Sequence, residues 1–247
     1  MSVSDCELSI LSDRLLWRVA LNDEDINAIL ALPISVRQLN SGEHFIRQGD
    51  IPTHCCLMVD GFAIGSKVLG NGSRQILALY MKGDIVDLQN VLLGRSDHNV
   101  QILTKSTVVL IRRGALEELA FSRLSVGKAL WLETLVNGSV FREWIANVGQ
   151  RDAKTRVAHV LCEFAVRLEA AGLGNAASYE LPLTQEQLAD IVALSPVHVN
   201  RTLMALGAKG LIERHKRSVR IENWAKLADV ADFQPDYLHL PKTTKVA

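Results

Sequence analysis

The sequence predicts an α+β protein, with an antiparallel β-structure first, a long helix next and a compact helix-and-hairpin region last. Three observations predict this. From Val36 to about Leu110, short β-rich runs (HFIRQ, CCLMV, FAIGSKVL, QILALYM, VQILT, TVVLIRR) alternate with Gly, Asn, Asp and Pro turns, as in a sandwich or barrel. From about Ala115 to Ala171 the apolar residues recur with helical period. Beyond Thr184, two capped helices give way to two short strands around a basic turn.

In chain order, residues 13–32 read as helical, through Leu15, Leu16, Val19, Ala20, Ile26, Ile29 and Leu30. Within the β-region, GNGS between two strand-like runs signals a hairpin. In the long helical stretch, Leu130, Thr134, Asn137, Phe141, Trp144 and Val148 fall at alternating four- and three-residue spacing. That seam predicts a dimerisation helix, with Asn137 fixing its register. Asp152 is an N-cap that restarts a helix through Val157, Leu161, Phe164, Ala165 and Leu168, and the loop GLGNAAS ends it. Thr184 with Gln187 three residues on makes a capping box.

The stretch LSPVHVNRTLMALGAKGLI then starts a second helix. Ser195 is its cap and Pro196 its first residue, where a missing N–H and a fixed φ cost nothing. Val199, Leu203 and Leu206 share the core side. At 100° per residue, Val197, Arg201, Met204 and Ala208 point the opposite way, with His198 and Asn200 on the flanks. A free helix N-terminus carrying donors on a narrow face suits the major groove of double-stranded DNA. The two helices and their short turn form a helix-turn-helix, and residues 211–221 form its wing.

Composition bounds the rest. The chain has 247 residues, 48% of them apolar, and a formal net charge of zero. It therefore has core enough for two domains and is not disordered throughout. Between Thr184 and Arg220, six Lys or Arg face three Asp or Glu, a local +3 within a neutral whole. No stretch approaches about 20 apolar residues, and the N-terminus carries acids where a secretory leader carries bases. The expectation is a cytoplasmic protein with no membrane partner. Four scattered cysteines and seven scattered histidines form no metal spacing. Cys55 and Cys56 are neighbours whose side chains would leave a strand on opposite faces, as buried thiols. No phosphate loop and no G-x-S-x-G are present, so an enzyme is not expected.

These residues resemble the cAMP receptor protein/FNR (Crp/Fnr) superfamily of transcription regulators over nearly the whole chain. The motifs that carry the resemblance are IRQGD, VDGFA, RDAKTRVAHVL and LPLTQEQLADIVALSPVHVNRTLMALGAKGLIE. It implies a cyclic-nucleotide-binding-like β-roll over 1–124, a dimerisation helix over 125–150, a winged helix-turn-helix over 151–226 and a C-terminal tail over 227–247. It implies a homodimer on a pseudo-palindromic site, with RNA polymerase as a further partner through the loop Gly172 to Ser178. Arg201 matches the family's guanine-reading arginine, Thr184 and Gln185 match phosphate contacts at the head of the first helix, and Ser195, His215 and Arg217 match further backbone contacts.

Two departures change the DNA reading. Val197 stands where the family often has a glutamate, and Pro196 where it has an arginine. Base readout falls to His198, Asn200 and Arg201, and Val197 remains among the expected DNA-binding residues. The turn residue, often Gly, is Ala193. The effector site departs further. Asp87-Leu88-Gln89 replaces Gly-Glu-Leu, and Asp97 or His98 falls where the phosphate-binding arginine belongs. An acid there repels a cyclic phosphate. Phe141 and Arg142 fall where the family's adenine-contacting Thr-Ser pair lies. The expectation is therefore no cAMP. Cys6 stands alone, so no iron–sulfur centre is expected, and no motif supports haem at His44, His54 or His98. The alternative to a DNA-binding regulator is a small-molecule-sensing regulator that acts mainly through protein contacts.

Overall fold

The computed structural model describes residues 3–241, with side chains from residue 7. The chain divides into two units, Met1–Lys67 with Ala78–Gly138, and Val68–Leu77 with Ser139–Ala247.

The first unit begins with α1 (Val3–Leu16) and α2 (Asp23–Leu30), where the periodicity predicts one helix over 13–32. Asn22 makes the break. Its side chain accepts from the Asp25 amide at 2.8 Å, and Asp23, Glu24 and Asp25 fill the new first turn, where the helix dipole favours acids. The roll follows, built from β1 (Ile34–Leu39), β2 (His44–Ile46), β3 (His54–Met58), β4 (Ala63–Val68), β5 (Arg74–Tyr80), β6 (Ile85–Val86), α3 (Asn90–Leu93), β7 (Asn99–Ile102) and β8 (Ser106–Arg112). Its strands form two four-stranded sheets, ordered β1-β8-β3-β6 and β2-β7-β4-β5. The pairings are antiparallel, as the turn spacing predicts.

Two cores form. Leu39, Ile46, Cys56, Met58, Val86, Val100, Ile102 and Val108 fill the roll. On the outer face of the first sheet, Cys55, Leu57, Val109 and Ile111 pack with Leu8, Leu11, Leu15 and Ile29. Cys55 and Cys56 thus face different cores, as alternation requires, and burial pushes the Cys55 thiol up to about 12 and Cys56 well above its usual value. The helices α4 (Arg113–Ser122) and α5 (Leu124–Gln150) complete this layer. They meet closely at Gly127, where a Cβ would lie 2.3 Å from the Ala120 carbonyl oxygen. Glu133 of α5 is buried and bound by two guanidinium groups, Arg14 Nε at 2.9 Å and Arg18 Nε at 2.7 Å.

The predicted seam on α5 is corrected. Leu130 and Trp144 are buried within their own units. The apolar side chains left exposed are Leu124, Trp131, Leu135, Phe141 and Ile145, of which Leu124 is 87% and Trp131 and Ile145 each 68% exposed. Leu124, Trp131, Leu135 and Ile145 fall on one stripe, turned about 100° from the predicted seam, the angle one residue subtends.

The second unit contains α6 (Ala153–Ala170), β9 (Ser178–Glu180), α7 (Gln185–Val192), α8 (Pro196–Ala208), β10 (Ile212–His215), β11 (Ser218–Ile221) and α9 (Trp224–Val230). Asp152 caps α6, accepting from the Thr155 amide at 2.8 Å. The wing sheet is ordered β10-β11-β9, so a third strand joins the two predicted ones.

Of the predicted tail over 227–247, the residues up to 241 are described and pack against α6. Leu227, Ala231, Phe233 and Leu238 are buried, and Pro235–Leu238 form a 3-10 turn. These residues close over His159 of α6, which is fully buried. The His159 ring stacks on Tyr237 at 5.9 Å, and the Tyr237 hydroxyl donates to Glu163 at 2.6 Å. Trp144 Nε1 donates to the same carboxylate at 2.9 Å. Burial holds His159 below its usual histidine range and lifts Tyr237 above its own. Residues 242–247 of the predicted tail lie outside the described residues.

Candidate nucleic-acid interface

The interface is assembled by caps. Thr184 accepts from the Gln187 amide at 3.1 Å while Gln187 Oε1 accepts from the Thr184 amide at 2.8 Å, the reciprocal box read from sequence. At the other end of α7, Ala193 takes the left-handed conformation with φ 53°. A non-glycine residue pays for that in strain of about 1–2 kcal/mol. Ser195 Oγ then accepts from the His198 amide at 3.2 Å, and Pro196 opens α8.

Val199, Thr202, Leu203 and Leu206 are buried, which fixes the rotation of α8. Val197, His198, Asn200, Arg201 and Met204 are left exposed. Among the described residues no ion pair or hydrogen bond engages the Arg201 side chain. Gln185 Nε2 donates to Asn200 Oδ1 at 3.1 Å, tying the head of α7 to the outer face of α8. Thr184 beside it is exposed. His215 and Arg217 are exposed at the β10–β11 tip, where Lys216 turns the chain with φ 54°. No hydrogen bond joins either of them to α7 or α8 among the described residues. Arg220 is engaged within its own sheet, at 2.7 Å from both Glu213 and Glu222. Lys216 and Arg217 are thus exposed cations at the wing tip with no ion pair among the described residues. Sequence reasoning counts Lys216 among the bases of this region but does not name it as a contact residue, although KRS between two short strands marks a tip.

A contact that no periodicity announces lies behind α7. Residues Val68–Leu77, the tip of the β4–β5 hairpin, belong to the same unit as the two helices. Arg74 Nε donates to Asp190 Oδ2 at 2.7 Å. Gln75 Nε2 donates to the Asp190 and Ile191 carbonyls at 2.7 and 3.1 Å, and Arg156 reaches the Val192 carbonyl at 3.2 Å. The last carbonyls of α7, which lack partners inside the helix, are thus met by side chains.

Comparison with known proteins agrees with this geometry. The Crp-like helix-turn-helix domain family matches residues 155–230, and the cyclic nucleotide-binding domain family matches residues 36–123. The chain belongs to the Crp/Fnr superfamily. The chain is 29% identical over 206 residues to the transcriptional activator protein FnrL of Cereibacter sphaeroides, covering 81% of this chain and 82% of that one. It is 24% identical over 217 residues to the transcriptional activator protein FnrA of Stutzerimonas stutzeri, covering 88% and 87%. The solved structure of FixK2 from Bradyrhizobium japonicum superposes with a TM-score of 0.75 at 23% identity, over 81% of this chain and 98% of that one. This member of the superfamily is a Crp/Fnr-type transcriptional regulator with a helix-turn-helix DNA-binding domain, and its relatives are regulators rather than enzymes.

In this Crp/Fnr regulator the segment following β6 is filled by its own side chains. Asp87 has φ 63° and is 3% exposed. Its carboxylate accepts from Gln89 Nε2 at 2.7 Å and from Asn90 Nδ2, and His98 Nε2 stands 3.7 Å away. His98 Nδ1 lies 3.0 Å from Asp97, which Lys67 also reaches at 3.3 Å. Burial raises Asp87 above the usual carboxylate range, opposed by His98 and by the Asn90 hydrogen bond. Arg95, the one arginine of the segment, donates to the Gly49 carbonyl at 2.7 Å. Inside the roll, Tyr80 lies across Gly65, so close that a Cβ there would meet the ring at 3.3 Å. Among the described residues no cluster of three metal-binding side chains occurs, and no helix is long and apolar enough to cross a membrane. The Cys6 side chain lies outside the described residues.

Proposed function

We propose that this regulator is a cytoplasmic homodimer that binds a pseudo-palindromic DNA site, with half-sites about one helical turn apart, and responds to something other than a cyclic nucleotide. The observation that carries the reading is the outward face of α8. A cap and a proline fix where the helix starts, a buried stripe fixes its rotation, and Arg201 is left without an intramolecular partner among the described residues. Arg201 reads a guanine through O6 and N7. His198 and Asn200 flank it. Thr184, Gln185, Ser195, His215 and Arg217 contact the phosphate backbone and set the register.

Dimerisation uses the α5 stripe of Leu124, Trp131, Leu135 and Ile145, since so large an exposed apolar row on one helix is covered in a stable protein. We assign the domains as roll 1–124, dimer helix 125–150, winged helix 151–226 and C-terminal segment 227–247. The loop 172–178 meets RNA polymerase. A cyclic phosphate does not fit beside Asp87 and Asp97 with Arg95 turned to Gly49, so cAMP is not the effector. An iron–sulfur centre is not part of this reading either.

Selection of bound duplexes from a random pool, followed by footprinting, tests it. The expected result is one two-fold-symmetric site. Arg201→Ala should cost about 1–3 kcal/mol per half-site and relax one base position while leaving random-duplex binding intact. Recovery of no preferred sequence would favour a regulator that works through protein contacts.

A further inference from the structure

The outward stripe of α8 has an unusual first member. Val197 is 69% exposed in the first turn of the helix, one turn before Arg201. Exposed single apolar residues are common, and alone they mean little. This one sits in the first turn of the helix that enters the groove, between Pro196 and His198 and one turn before Arg201. We infer that Val197 reads the 5-methyl group of a thymine within one or two base pairs of the guanine read by Arg201. The inference rests on the DNA-binding reading above and names the base chemistry of that site.

Valine carries neither donor nor acceptor. Of the four base edges in the major groove, only that of thymine presents an apolar group. Set against the N4 amine of cytosine or the N7 and O6 of guanine, the two methyls of valine remove water and return no hydrogen bond. The discrimination therefore works both ways, by attraction to thymine and by a penalty on the alternatives. A β-branched side chain in a helix is confined to essentially one χ1 rotamer, so little freedom is lost on contact. Val197 and Arg201 are about 6 Å apart along the helix axis at 1.5 Å per residue, within two base steps of 3.4 Å. Rotation about α8 cannot replace Val197 with a neighbour, because Val199, Leu203 and Leu206 lock the opposite side into the core.

The test removes the methyl from the DNA. In the site recovered by selection, each thymine in turn is replaced by deoxyuridine, which keeps pairing and every hydrogen-bonding group. Wild type and Val197→Ala are titrated on each duplex. Val197 is exposed, so the variant should fold, and a thermal unfolding midpoint equal to that of wild type checks this. One symmetry-related thymine should weaken wild type about fourfold per half-site when its methyl is removed, the effect of one buried methyl-sized group, and Val197→Ala should not respond there. If no thymine responds in wild type, or if both proteins lose equally at every position, Val197 has no such role. If selection yields no site at all, the underlying DNA-binding reading fails first, and that result is separate from an insensitive methyl on a good site.

Discussion

The outer face of α8 and the segment between β6 and β7 treat polar side chains in opposite ways. On α8, Arg201, His198 and Asn200 stand in solvent, and among the described residues only Asn200 of the three has a side-chain hydrogen-bond partner. In the roll, Asp87, Asn90, Ser96 and His98 are buried and bound to one another or to nearby backbone. The contrast teaches how a shared fold signals different duties. A face whose donors lack intramolecular partners is prepared for an external one, while a buried carboxylate already held by neighbouring amides is committed to its own fold. The same distinction separates the wing cations, where Arg220 is held by two glutamates and Arg217 is not.

The comparison can be broken or sharpened in three ways. The largest expected effect is at Glu133, the buried acid between Arg14 and Arg18. Glu133→Ala should cost about 3 kcal/mol of stability, because two buried guanidinium groups lose a shared carboxylate while Arg14 keeps Asp84 at 3.3 Å. Chemical denaturation of the variant checks this, and a loss under about 1 kcal/mol would mean the cluster is well solvated. The second effect is pH-dependent. His159 is held neutral by burial, so its folded pKa lies below its unfolded value. The unfolded chain then takes up more protons below about pH 6.5. This contribution is complete above that pH and is lost as pH falls. Unfolding free energies at pH 7.5 and 5.5 should differ more in wild type than in His159→Gln, and equal differences would refute the assignment. The smallest effect is at the wing tip. Arg217→Ala should weaken all duplexes alike and reduce the slope of log affinity against log salt by about one. A change in sequence preference instead would make Arg217 a base reader.

Much of the fold could be read from the chain because caps are local. Thr184 with Gln187, Asp152, and Ser195 with Pro196 each declare a helix start within four residues, and all three stand as predicted. The left-handed turn at Ala193 could be expected only through the family resemblance, which often has Gly there. What failed was the identity of distant partners. On α5, Leu130 and Trp144 satisfy helical spacing, and so do Trp131 and Ile145. Periodicity alone cannot tell which row the protein buries and which it leaves open. The segment after Trp224 has too few periodic residues to announce a core, yet Phe233 and Tyr237 find His159 more than 70 residues upstream. At the candidate interface, the outward face of α8 could be read from its helical stripe and the roles of Arg201, Thr184, Gln185, Ser195, His215 and Arg217 came with the family resemblance, whereas the Gln185–Asn200 link depends on how two helices cross.

The β4–β5 tip has a practical consequence for anyone who recombines such regulators. Gln75 completes the end of α7, yet it lies more than 70 residues before Asp152, the cap of α6. A chimera that exchanges only the segment from Asp152 onward would import a first reader helix and leave behind the amide that finishes it. The foreign helix would meet a mismatched tip in place of its own. The natural unit of exchange is therefore discontinuous, and a graft that carries residues 68–77 along with the C-terminal part should keep the pitch of α8 that a simple cut would lose.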